Sequence, residues 1–119
     1  MEPTADKAVD RAFEALSKAG MVAFGGVGFA GSTLPETAAF DVVVAEGPAA
    51  RSRLDRLLTN ASPAGKVYAA TALSRFDADA GRAAWRRLAD DRGDVTIASG
   101  CVIDRRPLAE YANEQLGPS

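Results

Sequence analysis

A chain of 119 residues, with 47% hydrophobic and 25% charged side chains, has room for one packed core but not two and lies in the globular range rather than the disordered one. A net charge of −2 argues against a general binder of nucleic acid or anionic membrane. One cysteine permits no intramolecular disulfide, which fits a reducing, cytoplasmic setting, and the lack of histidine excludes Ser-His and Cys-His dyads and histidine-based zinc sites.

No apolar run reaches the about 18 residues of a membrane span, so none is expected. Residues 4–19 form an amphipathic helix. Val9, Ala12, Phe13, Leu16 and Ala19 fall on one stripe, Thr4 is the expected N-cap, Asp6 favours the helix dipole, and Gly20 is a natural residue just past the end. This segment, 1–20, is expected to pack across the end of a helical stack.

Residues 21–33 are a glycine-rich loop. Met21 to Gly31 reads as mature protein rather than a signal-peptide core, because it follows a charged helix and holds Gly25, Gly26, Gly28 and Gly31. Gly26-Val27-Gly28-Phe29-Ala30-Gly31 matches G-x-G-x-x-G, and Met21 to Phe24 can be the short strand that a dinucleotide site requires before it. The helix of such a site must open within the glycines. Here Thr33 and Glu36 form a capping pair with Pro35 in the first turn, so the next helix starts after the glycines, and no second strand-helix-strand unit follows. The loop is then either a turning segment that uses positive φ or a partner contact through Phe24, Val27 and Phe29.

Residues 34–46 continue as a helix, with Ala39, Val42, Val43 and Glu46 at helical steps; a buried strand at 40–45 is the competing reading. Gly47-Pro48 breaks it, and residues 48–60 form a helix with Leu54, Leu57 and Leu58 on one face. Ser62 caps and Pro63 opens a helix over 63–76, with Val67, Ala70, Leu73 and Phe76 buried. Asp77-Ala78-Asp79 is the corner to a partner helix over 79–91, carrying Ala84, Trp85, Leu88 and Ala89 and ended by Gly93. Residues 95–104 are β-branched and read as a short strand or irregular turn. Pro107 then opens a last helix, with Leu108, Tyr111, Ala112 and Gln115 roughly in line, so that 95–119 forms a terminal cap.

A shift of 31 residues superposes the two helix pairs of 34–94. Val42 falls on Leu73, Ala45 on Phe76, Leu54 on Trp85 and Leu57 on Leu88; Ala38/Ala69, Ala39/Ala70, Ala49/Ala80, Arg51/Arg82 and Arg56/Arg87 are identical. In this pattern of Ala, Leu and Pro positions the pairs resemble short HEAT-type repeats. The resemblance implies a mainly all-α stack of helical hairpins, a scaffold or binding role, and no active-site residues.

Each candidate site has a plain competitor. Cys101 sits among Ser99, Gly100 and Val102 with no base, as a structural cysteine would. Asp77, Asp79, Asp90, Asp91 and Asp94 lie at corners and serve caps and turns rather than a metal. Arg51, Arg53, Arg56, Arg82, Arg86 and Arg87 line the second helices of the pairs. If those helices run parallel, they form a stripe for an acidic surface or a phosphate; the competing reading is a solvated face paired with Asp55, Asp79 and Asp90. Tyr68 and Trp85 belong to buried stripes.

The sequence therefore predicts a single domain over 1–119 that is a non-enzymatic protein-binding module of the immunity or adaptor kind. The Ala- and Arg-rich, Lys-poor composition is that of a GC-rich bacterial genome. The expected partner is another protein, engaged through Phe24, Val27, Phe29, Arg51, Arg82 and Arg86, with no cofactor, no metal and no nucleic acid. The alternative is a small-ligand or nucleotide site built on Gly25 to Gly31 with nearby arginines. An enzyme acting through Glu36 or Asp41 has no positive support.

Overall fold

The computed structural model describes residues 3–22, 35–99 and 102–117. The expected contacts Phe24, Val27 and Phe29, the glycines of 25–31, Thr33 and Cys101 lie outside the described residues. Six helices and one hairpin follow in order: α1 (Pro3–Ser17), α2 (Pro35–Glu46), a 3₁₀ turn (Gly47–Ala50), α3 (Arg51–Asn60), α4 (Pro63–Phe76), α5 (Ala78–Leu88), β1 (Asp94–Ser99), β2 (Val102–Pro107) and α6 (Leu108–Leu116). The mainly helical class is as the sequence predicts, and 40–45 is helix, not strand.

The core is organised around α4. Ala64, Gly65, Val67, Tyr68, Ala69, Ala70, Ala72 and Leu73 are all buried, so this helix is enclosed on nearly every side, as a helix apolar all round must be. It packs against α1, α2, α3, α5 and β1. Ser62 starts it as expected: its Oγ accepts from the Gly65 N–H at 3.2 Å, with Pro63 in the first turn. The same residue ties α4 to the end of α1, donating through Oγ to the Ala19 carbonyl (2.7 Å) and through its N–H to that of Ser17 (2.9 Å).

Small residues set how closely the neighbours approach. A Cβ on Gly65 would strike the Leu16 carbonyl and lie 2.8 Å from the Ala61 Cβ; one on Gly81 of α5 would lie 2.5 Å from the Ser74 Cα. At Gly47, φ of +78° turns the chain out of α2 at the expected break, a conformation glycine adopts without strain.

The helix pairing differs from the expected hairpins. α4 and α5 do form one, with Asp77 as the N-cap accepting from the Asp79 N–H at 2.9 Å. The closest neighbour of α2, however, is α1 rather than α3. Among its described side chains Ala39, Phe40 and Val43 are buried, with the Phe40 ring tilted against that of Tyr68 at 5.6 Å, whereas Val42 is 37% exposed. Its 31-residue counterpart Leu73 is 1% exposed. The equivalence holds between α3 and α5, where Leu54/Trp85 and Leu57/Leu88 are buried together, and splits between α2 and α4. Other boundaries move as well: α1 spans Pro3–Ser17, which puts Thr4 inside the helix, the helix expected from Pro48 starts at Arg51 after the 3₁₀ turn, and α5 spans Ala78–Leu88 rather than 79–91.

Strands β1 and β2 pair antiparallel, from Asp94↔Pro107 to Ser99↔Val102. Val22 adds to the other edge of β1 in parallel, its N–H donating to the Thr96 carbonyl at 2.7 Å and its carbonyl accepting from the Ala98 N–H at 2.8 Å. These bonds turn the backbone groups of Thr96 and Ala98 toward Val22, so Ile103 and Arg105, opposite Ala98 and Thr96, point theirs away from β1. The outward N–H of Arg105 is taken by the Asp104 carboxylate (2.9 Å), and Pro107 has none. That edge is blunted against further strand pairing.

Candidate functional site

The arginines show first how the helices are laid out. Arg51, at the start of α3, reaches Asp77, the N-cap of α5, at 3.9 Å; Arg87, near the end of α5, donates to Thr59 Oγ1, near the end of α3, at 2.8 Å. Two links in the same order along both helices make α3 and α5 parallel, the condition for an arginine stripe.

The stripe is nonetheless divided. Arg51 and Arg87 lie on the seam between α3 and α5. Arg53 turns the other way, pairing with Asp10 of α1 at 2.9 Å with its guanidinium 4.1 Å from the centre of the Phe13 ring. Arg56 points outward from α3. Arg82 and Arg86, one turn apart on α5, occupy the flank away from α3. The predicted partners Asp55, Asp79 and Asp90 hold none of these arginines; Asp77 and Asp10 do. Among the described residues, Arg56, Arg82 and Arg86 make no ion pair or side-chain hydrogen bond.

The flank that carries Arg82 is concave. Ser74 and Ala78 at the α4–α5 corner, Arg82 and Trp85 on α5, and Gln115 and Leu116 on α6 surround a groove of about 300 Å³. Trp85 is 6% exposed, a core residue as predicted whose remaining edge floors the groove, and its indole stacks at 5.8 Å on Tyr111 of α6. The Ser74 hydroxyl donates to the Ala70 carbonyl at 2.9 Å, leaving its oxygen able to accept. The groove thus combines an apolar floor, an amide, a hydroxyl oxygen and a cation with no internal counter-charge.

A second depression, of about 720 Å³, lies on the outer side of α6 against Pro107, Glu110, Asn113, Glu114 and Gly117. It is larger, but its charges are already satisfied. Arg106 donates to Glu110 Oε1 through Nε (3.2 Å) and Nη2 (2.9 Å), and also to Glu114. Those hydrogen bonds raise the pKa of the Arg106 guanidinium and lower that of the Glu114 carboxyl. Burial raises the Tyr111 phenol, with Arg106 opposing. The sequence reading passed over this cluster, although Arg106, Glu110 and Glu114 at four-residue steps were its signal.

Three of the acids weighed as cation ligands have other employment. Asp77 caps α5. Asp91 accepts from Lys66 Nζ at 2.6 Å and from the Gly93 N–H at 2.8 Å. Asp94 pairs with Arg105 at 3.6 Å. No group of three acidic or cysteine side chains suited to a metal occurs among the described residues, and no helix there is long and apolar enough to cross a membrane.

Compared with protein-family models, with curated proteins and with solved structures, the chain matches none.

Proposed function

We propose that this chain is a small, non-enzymatic, bacterial protein-binding module of the immunity or adaptor kind, acting in the cytoplasm, in which a HEAT-like packing of parallel helices serves as scaffold. The observation that carries this reading is the flank of α5, where Arg82 lines a groove beside Trp85 and Arg86 stands one turn along, both without an ion-pair partner among the described residues. Partner surfaces are rich in aromatic and arginine anchors of this kind, and an arginine held by an internal carboxylate would be less available to a partner. Arg51 belongs to the binding surface less directly, through its exposed link to Asp77.

Capture on the tagged full chain from a bacterial lysate at gentle salt tests the proposal. A stoichiometric partner that elutes on raising the salt is expected; recovery of none contradicts it.

A second reading, a small-ligand or nucleotide site, has one observation behind it. The parallel bridge of Val22 to Ile97 makes a strand-like entry to the glycine-rich segment. A rise of several degrees in the melting midpoint with a saturating nucleotide would favour that reading over the first.

A further inference from the structure

We infer that the groove between α5 and α6 is a recognition pocket for an acidic peptide segment of the partner, one apolar side chain seated on Trp85 and Leu116 with a flanking carboxylate held by Arg82 and, one turn along, by Arg86. The inference rests on the protein-binding reading and specifies its site and ligand chemistry.

Size comes first. About 300 Å³ is at the small end of ligand pockets, fitting one or two side chains rather than a dinucleotide. Ala78, the edge of Trp85 and Leu116 supply the apolar part of its lining. An aliphatic side chain placed there shields apolar surface without stranding a polar group, because the Gln115 amide and the Ser74 oxygen stay at the wall, where peptide N–H and C=O groups can reach them.

Charge selects the flanking residue. The nearby cations Arg51, Arg53, Arg87 and Arg106 each have a partner: Asp77, Asp10, Thr59, and the pair Glu110 and Glu114. Arg82 and Arg86 have none among the described residues, although the chain as a whole carries an excess of acid. A planar guanidinium offers paired N–H groups matched to a carboxylate, so an aspartate, a glutamate or a chain-terminal carboxylate is the complementary group. Two cations one turn apart favour a segment with more than one acid. A basic or neutral segment would leave both without counter-charge.

Trp85 also reports on the pocket, being the only tryptophan in the chain. The full-length protein is titrated with an equimolar set of tryptophan-free acidic peptides, in which one leucine is flanked by glutamates at varied spacing, and the indole emission is followed. A saturable change is expected, and the same set with glutamine for glutamate should give none. Arg82→Ala with Arg86→Ala should weaken the response about tenfold, since two exposed ion pairs, each of modest strength, are lost. Arg11→Ala, at an exposed site on α1, should leave it unchanged. No saturable change with the acidic set, or one that persists equally in the double variant or with the glutamine set, overturns the inference. Partner capture separates this from failure of the wider reading. A partner recovered equally by the double variant overturns the pocket and keeps the module; a saturable, arginine-dependent emission change with no partner recovered keeps the pocket and overturns the module.

Discussion

Lys66 and Asp91 are the ion pair that fastens the central helix to the chain leaving α5, and both are largely shielded, with side chains 17% and 20% exposed. Burial pushes the Asp91 carboxyl up. The Lys66 hydrogen bond, the Gly93 N–H and the Lys66 charge outweigh it, and its pKa falls below the ordinary value. A carboxylate depressed in the folded state stabilises above its unfolded pKa, and that stability is lost as pH falls through the folded value. Urea titrations of the wild type should therefore lose stability as pH drops below about 4, the ordinary aspartate range. Lys66→Met removes the charge and leaves the burial, so it should cost about 1–2 kcal/mol at neutral pH and flatten the acid-side slope. An unchanged slope would show that the pair does not couple to folding. Gly81 sets a second limit. Its helix passes so close to Ser74 that Gly81→Ala should destabilise by about 1–3 kcal/mol through overpacking. Ser74→Ala should restore little of the loss, because the clash includes the Ser74 Cα, 2.5 Å from the added methyl. Full rescue in thermal melts would place the strain in the hydroxyl alone.

At the scale of elements, local signals read well where one mechanism decides. Ser62 with Pro63 and Gly47 with positive φ each mark a boundary by a hydrogen bond or a backbone angle and stand where the sequence implies, while the expected corner at 77–79 resolves into Asp77 capping a helix that begins one residue early. Partner choice between helices was not legible in the same way. The periodicity of residues 34–46 is compatible with either Val42 or Phe40 facing inward, and packing against α1 and the Tyr68 ring settles it for Phe40. Leu73→Ala should cost about 2–5 kcal/mol, while Val42→Ala should stay within about 0.5 kcal/mol. Equal costs would restore the 31-residue equivalence on the first helices. The hairpin was half legible. Residues 95–104 read as a short strand or an irregular turn, and Arg105 and Arg106 carry no strand signal of their own. They are edge-strand residues all the same, with Ile103 61% exposed beside them.

Across the whole molecule, the arginines expected as one stripe serve three purposes. Arg51 and Arg87 join α3 to α5, Arg53 fastens α3 to α1, and Arg82 lines the groove with Arg86 one turn along α5, neither held by an ion pair among the described residues. Spacing along the chain puts all of them on second helices, but which side of a helix faces solvent depends on what packs beside it. Here that is α6, whose Tyr111 meets Trp85 and whose Gln115 and Leu116 close the groove. Enclosure of α4 by α1, α2, α3 and α5 leaves the outer helices to present surface, and the α5–α6 flank joins a cavity to a cation with no ion-pair partner among the described residues. Hydrogen exchange on the full chain, alone and with the captured partner, locates the binding face most directly. Added protection should fall on residues 78–88 and 108–116 and leave 39–46 unchanged. Protection confined to α2, or to residues 23–34, would contradict recognition through the α5–α6 groove.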